Sequence, residues 1–206
     1  MKKTLTTLLA SMLLVGVMAI PAAADDSDNF VGFIAEQAEK DRGRYNVIGQ
    51  TVLALVDAGK LDANDVAALS SAEITAFLPT DVAFRRLVAD IQGTKWWRVS
   101  EGDVIPALVG ALGLDTITEV VKYHIYAGGK VDYNTALSLD DNPRNGTDVT
   151  IDMYNGGQLD LDRRYWFLQL DDSGLAAFGS NNPIVAQRNI DGGNALVHGI
   201  SEVLLP

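Results

Sequence analysis

The chain has 206 residues, no cysteine, and a formal charge of −11 from 27 acidic and 16 basic side chains. That charge repels DNA, RNA and anionic lipid head groups, and the missing cysteine removes disulfides and thiolate metal sites. The length, with 48% hydrophobic residues, suits one domain whose core can be stable without cross-links.

Residues 1–24 read as a secretory signal peptide. Lys2 and Lys3 give a positive start, Leu5 to Ile20 form an uncharged apolar run, Pro21 breaks it, and Ala22-Ala23-Ala24 offers a cleavage site after Ala24. The run is short for a bilayer span, which takes ~20 residues. No later stretch is expected to be long and apolar enough to cross a membrane. Cleavage takes both lysines of the leader, so the mature charge becomes −13. The pairs Asp25-Asp26, Asp140-Asp141 and Asp171-Asp172 are expected on solvated surface.

Residues 25–45 form an acidic tail and a first helix, in which Phe30, Phe33, Ile34 and Ala38 recur at helical spacing. Asn46 is placed to cap a second helix carrying Val47, Ile48, Val52, Leu53, Leu55 and Val56, ended by Gly59. Asp62 or Asn64 is placed to cap a third, through Leu69. Ile74 to Leu78 has strand composition and stops at Pro79, which lacks the N–H a ladder needs. Thr80 or Asp81 then caps a helix burying Phe84, Leu87, Val88 and Ile91. Thr94 to Ser100, with Trp96 and Trp97, is a connection, and two helical pieces, Asp103–Leu112 and Asp115–Lys122, flank Gly113.

From Tyr123 the period changes. Tyr123–Tyr126 is short and β-like, and Val149–Tyr154 and Gln158–Asp162 alternate about Asn155-Gly156-Gly157, a hairpin signal. Tyr165–Leu170, Leu175–Phe178, Ile184–Ile190 and Ala195–Leu205 read as further strands. Helices first and strands later predict an α+β fold.

Three segments carry a resemblance. Ile74-Thr75-Ala76-Phe77-Leu78-Pro79-Thr80-Asp81-Val82-Ala83-Phe84, the Tyr123-His124 stretch with its Gly128-Gly129 turn, and Asn194-Ala195-Leu196-Val197-His198-Gly199-Ile200 through Pro206 stand in the order and spacing of the motifs of the fasciclin-type (beta-Ig-H3/fasciclin) domain. The chain is similar to that family over about residues 46–206. The resemblance implies a compact β-wedge with helices packed around it, and a non-catalytic adhesion or binding role at the cell surface or extracellular matrix. Pro79, Thr80, Asp81, Phe84, Tyr123, His124, Asn194 and His198 match its motif positions. In adhesive relatives an Asp-Ile pair linked to receptor recognition precedes the closing motif. Here the pair is Asn189-Ile190, so integrin-type recognition is not implied.

His124 and His198 are the only histidines. Their apolar surroundings predict buried imidazoles bonded to the backbone. The alternative is an envelope metal-dependent hydrolase built on them, although no third ligand is indicated. Neither metal nor other cofactor is expected. Asp140, Asp141, Asn142, Asn145, Thr147 and Asp148 could hold calcium but miss the EF-hand order, and Asn145-Gly146-Thr147 is a glycosylation sequon. Asp160 and Asp162 are expected on the wet face of their strand. In Arg163-Arg164-Tyr165-Trp166-Phe167 alternation should bury at least one ring. Trp96 and Trp97, with Asn189 and Ile190, form the candidate binding surface. An alternative role is binding a small apolar or carbohydrate ligand near Trp96-Trp97. The partner expected is a protein or surface glycan, with weak self-association, for a secreted or periplasmic protein.

Overall fold

The computed structural model describes residues 28–40, 43–139, 149–172, 174 and 182–206. The leader, Asp25-Asp26, the acidic loop 140–148 with its sequon, and the expected strand Leu175–Phe178 lie outside the described residues. The elements run α1 (Phe30–Glu39), α2 (Asn46–Asp57), α3 (Ala63–Ser71), β1 (Ile74–Pro79), α4 (Asp81–Gln92), a 3-10 turn at Trp96–Arg98, α5 (Glu101–Tyr123), β2 (Ile125–Tyr126), α6 (Tyr133–Leu139), β3 (Val149–Asp152), β4 (Gln158–Arg164), β5 (Phe167–Asp171), β6 (Val185–Gly192) and β7 (Ala195–Ile200). The fold is mixed helix and sheet, with the helices concentrated in the first half.

Every residue of β1 is buried, as a nearly unbroken apolar strand must be when both faces are covered. It pairs antiparallel with β2 and parallel with β7, in register from Ile74↔Ala195 to Pro79↔Ile200. The sheet order is β2-β1-β7-β6, so three motif segments far apart in sequence become three neighbouring strands. A second sheet, β3-β4-β5, meets the first where Gln169 bridges to Ile184 and the Leu170 N–H donates to the Pro183 carbonyl (2.9 Å).

Alternation along β1 divides the core. Ile74, Ala76 and Leu78 join a large cluster with Leu55, Phe84, Val88, Val104 and Val121 beneath the helices, whereas Phe77 joins a smaller one with Tyr123, Tyr133, Leu159, Leu168 and Leu204 between the sheets. Full burial of each large side chain contributes roughly 1.5–3 kcal/mol.

Local chemistry sets the helix ends. Asp62 and Asp65 form a capping box at α3, and Thr80 accepts from the Ala83 N–H at α4, which closes on Gly93 at φ 61°. Asn46 does not cap α2; its Nδ2 donates back to the Ala38 and Lys40 carbonyls. The cap comes from 34 residues away, where Asp81 Oδ1 accepts from the Val47 N–H (2.9 Å). The two expected helical pieces are α5, broken at Gly113 (φ 77°, ψ 159°). By length and composition α5 could cross a membrane, which corrects the expectation that no stretch after the leader could. In this fold it packs Val104, Leu108, Ile117, Val120, Val121 and Tyr123 into the protein.

Several strand limits also shift. Tyr123 ends α5 instead of starting a strand, because its ring is wholly buried and its hydroxyl donates to the Gln158 carbonyl. The strand expected from Tyr165 begins at Phe167, since Tyr165 and Trp166 are the turn of the β4–β5 hairpin. Asp162 is buried and ion-paired to Arg164 (2.5 Å), not on the wet face, and Asp172 is buried with Oδ2 accepting from the Leu205 N–H (2.7 Å). Helix α6 carries no clear period; its start is set by Asp132, whose Oδ1 accepts from the Asn134 and Thr135 N–H groups.

Candidate functional site

The motif residues converge on the joins of the fold. Asn194 sits in the turn between β6 and β7. Its Oδ1 accepts from the Phe30 N–H (2.7 Å) and its Nδ2 donates to the carbonyls of Leu69 (2.9 Å) and Ala72. One amide thereby ties together the start of α1, the end of α3 and the closing hairpin. Asp81 has a carboxyl held above the usual range by burial, partly opposed by the N–H groups it accepts at the start of α2.

His124 is buried at the end of α5. Nδ1 donates to the Val120 carbonyl (2.6 Å) and Nε2 accepts from the Leu204 N–H (3.0 Å). A carbonyl can only accept and an N–H only donate, so the partners fix this tautomer. Burial pushes the imidazole down to about 4, against the pull of the Val120 carbonyl. His198 carries the opposite tautomer: Nδ1 accepts from the Asn189 N–H (3.3 Å) and Nε2 donates to the Val131 carbonyl (2.9 Å). Burial lowers it too. It stacks on Phe77, with ring centroids 5.8 Å apart. Each imidazole's one basic nitrogen is spent on a backbone N–H, which leaves no lone pair for a metal or a substrate proton. Among the described residues no group of three or more His, Asp or Glu side chains could hold a metal ion. The metal-hydrolase alternative therefore fails on the chemistry of its two proposed ligands.

The Asn189-Ile190 pair lies at a bulge of β6. Asn189 adopts φ 51°, a left-handed conformation that Asn tolerates better than most residues. Its Oδ1 accepts from the Tyr133 N–H (2.9 Å) at the start of α6. Asn189 is exposed, but its carbonyl oxygen and backbone N–H are both used internally. Ile190 packs half-buried against the helical core.

The Trp96-Trp97 segment is different. Trp96 packs half-buried on the core beneath the Arg85 guanidinium (5.4 Å to the ring centroid), which is itself fixed by an Arg85 Nε bond to the Val99 carbonyl (2.8 Å). Trp97 meets it edge-on at 5.9 Å and is 57% exposed, with Lys95 Nζ 5.1 Å from its ring. The two rings wall an open cleft of about 590 Å³ between α4 and the segment after β7, with Arg86, Asp90, Lys95 and Glu202 also lining it. That volume is in the range of small-ligand sites. The tryptophans are visible in the sequence; Arg86 and Asp90, one turn apart on α4, and Glu202, from the segment after β7, reach the cleft only through the tertiary fold.

The second aromatic cluster is exposed, contrary to expectation: Tyr165 is 60% and Trp166 76% accessible, while Phe167 is only half-buried. The expectation assumed a straight strand, and the two-residue turn breaks the alternation.

Comparison with known proteins follows this geometry. The family model described as Fasciclin domain matches residues 50–206. A solved structure, a FAS1 domain pair from the insect cell adhesion molecule Fasciclin I, aligns with a TM-score of 0.52 at 15% identity. The alignment covers 77% of this chain and 45% of that one, so the chain spans under half of its structural neighbour. No curated protein matches the sequence.

Proposed function

The chain belongs to the fasciclin domain family, and on that premise we propose that it is a non-catalytic adhesion module at the cell surface or extracellular matrix, with the Trp97 cleft as its binding face. The observation that carries this reading is a division of labour. Asn194, His124, His198, Asp81 and Tyr123 spend their polar groups on internal bonds, whereas Trp97 spends a large ring on water. A large exposed aromatic beside a cleft is characteristic of contact sites. The partner is a protein or a surface glycan. The Lys2-Lys3 to Ala24 leader supports a secreted or periplasmic location.

The test is affinity capture from envelope and matrix extracts with the wild type and Trp97→Ala. The reading expects a saturable partner captured by wild type and lost with Trp97→Ala at unchanged stability. Equal capture by both, or none by either, contradicts it. Fractionation of the source cells checks export, and a cytosolic pool of uncleaved chain would refute it.

A further inference from the structure

The β4–β5 turn is unexplained by folding. Arg164 pairs with Phe167, leaving Tyr165 and Trp166 as a two-residue hairpin loop. Tyr165 takes φ 56°, a position such loops normally give to Gly or Asn, and a bulky aromatic there is strained. The same turn holds Trp166 at 76% and Tyr165 at 60% exposure, with their ring centroids 5.8 Å apart. Neither backbone preference nor burial favours these residues here. Strain and exposed apolar surface at one spot mark a contact element.

We propose that this aromatic tip docks head to tail into the Trp96-Trp97 cleft of a second copy of the chain. The tip is convex, and the cleft, at about 590 Å³, is concave and walled by aromatic rings. Arg163 and Arg164 stand behind the tip. At the cleft, Arg86 is held by the Ser201 carbonyl (3.4 Å) and Lys95 lies over Trp97. The rim carboxylates of Asp90 and Glu202 have no ion-pair partner among the described residues. Arg164 spends Nε on Asp162 but its side chain is half exposed, so its remaining guanidinium N–H groups are the ones that meet a carboxylate at the contact. Two aromatic side chains bury at most about 300–500 Å², well below the ≈800 Å² per partner of a stable interface, so the contact is weak and concentration-dependent. Because tip and cleft are different surfaces, the contact is heterologous and each bound pair still offers one free tip and one free cleft. A single domain of this kind can bridge two surfaces in this way.

The proposal rests on the cleft being the binding face. Sedimentation equilibrium up to millimolar concentration tests it. Wild type is expected to show a mass rising with concentration beyond a dimer, while Trp166→Ala and Trp97→Ala alone stay monomeric. An equimolar mixture of the two variants keeps one intact tip and one intact cleft and is expected to stop at heterodimers. Tyr165→Gly, which removes the strained side chain, is expected to weaken assembly while the melting temperature holds or rises. A wild type that stays monomeric, a Trp166→Ala variant that assembles like wild type, or a mixture that stays monomeric overturns the proposal. So does a monomer that captures some other partner through Trp166. If extract capture needs Trp97 but the mixture forms no dimer, the cleft reading stands and self-docking alone is wrong.

Discussion

If His124 is a structural lock, its titration must appear in the stability of the protein. Protonating Nε2 would set a second donor against the Leu204 N–H in a buried site, so the folded state resists the proton. The folded pKa is about 4 against an ordinary 6.5. Between those values the unfolded chain binds the proton and the folded chain does not. Stability from this group is therefore fully present above pH 6.5 and is lost as the pH falls towards 4. The gap of about 2.5 pH units, at about 1.4 kcal/mol each, caps the loss at about 3–4 kcal/mol. His198 is lowered by burial and acts in the same direction, whereas Asp81, raised by burial, acts in the opposite one. The informative quantity is thus the difference between wild type and His124→Gln. Urea unfolding at a series of pH values from 7.5 to 4.5 is expected to show wild type losing about 2–3 kcal/mol more than the variant over the range. The variant is expected to be weaker by about 2–3 kcal/mol at pH 7.5, because the Leu204 N–H and Val120 carbonyl lose their partner. Parallel pH profiles, or a variant as stable as wild type, would refute the lock.

Three further outcomes follow from named contacts. Asn194→Ala breaks three bonds joining α1, α3 and the closing hairpin and is expected to cost about 2–4 kcal/mol in chemical unfolding, with hydrogen exchange rising first in α1. A methyl group at Gly199 would overlap the Tyr45 hydroxyl, which bonds Gln187. Gly199→Ala should therefore destabilise by about 1–3 kcal/mol, and Tyr45→Phe should recover part of that in a double-mutant cycle. Tyr165→Gly relieves a left-handed aromatic and is expected to gain up to about 1 kcal/mol despite the freer unfolded chain; a clear loss would mean the turn is not strained.

The frame of the fold was legible because its signals are local. The Pro79 stop, the Thr80 cap and the Asn155-Gly156-Gly157 hairpin act within a few residues, and the structure places each where the pattern puts it. What was illegible depends on distance. Nothing near Asp81 says that it caps α2, and nothing near Asp172 says that its carboxylate meets the chain at Leu205. Asp162 reads as wet by alternation, yet its ion pair with Arg164 keeps it under cover. For the candidate site, the histidines could be read as buried from their apolar neighbours, but their opposite tautomers follow only from tertiary partners. The tryptophans were visible, while the cleft they wall is assembled from α4, the 3-10 turn and the segment after β7.

The central claim is that this domain works by contact through an exposed aromatic cleft, with its motif residues holding the fold. The most direct measurement is saturable attachment of fluorescently labelled protein to source cells and to extracted matrix, comparing wild type with Trp97→Ala matched for thermal stability. The account predicts saturable attachment by wild type and its loss with Trp97→Ala. Attachment that does not saturate, or that survives Trp97→Ala unchanged, would contradict it.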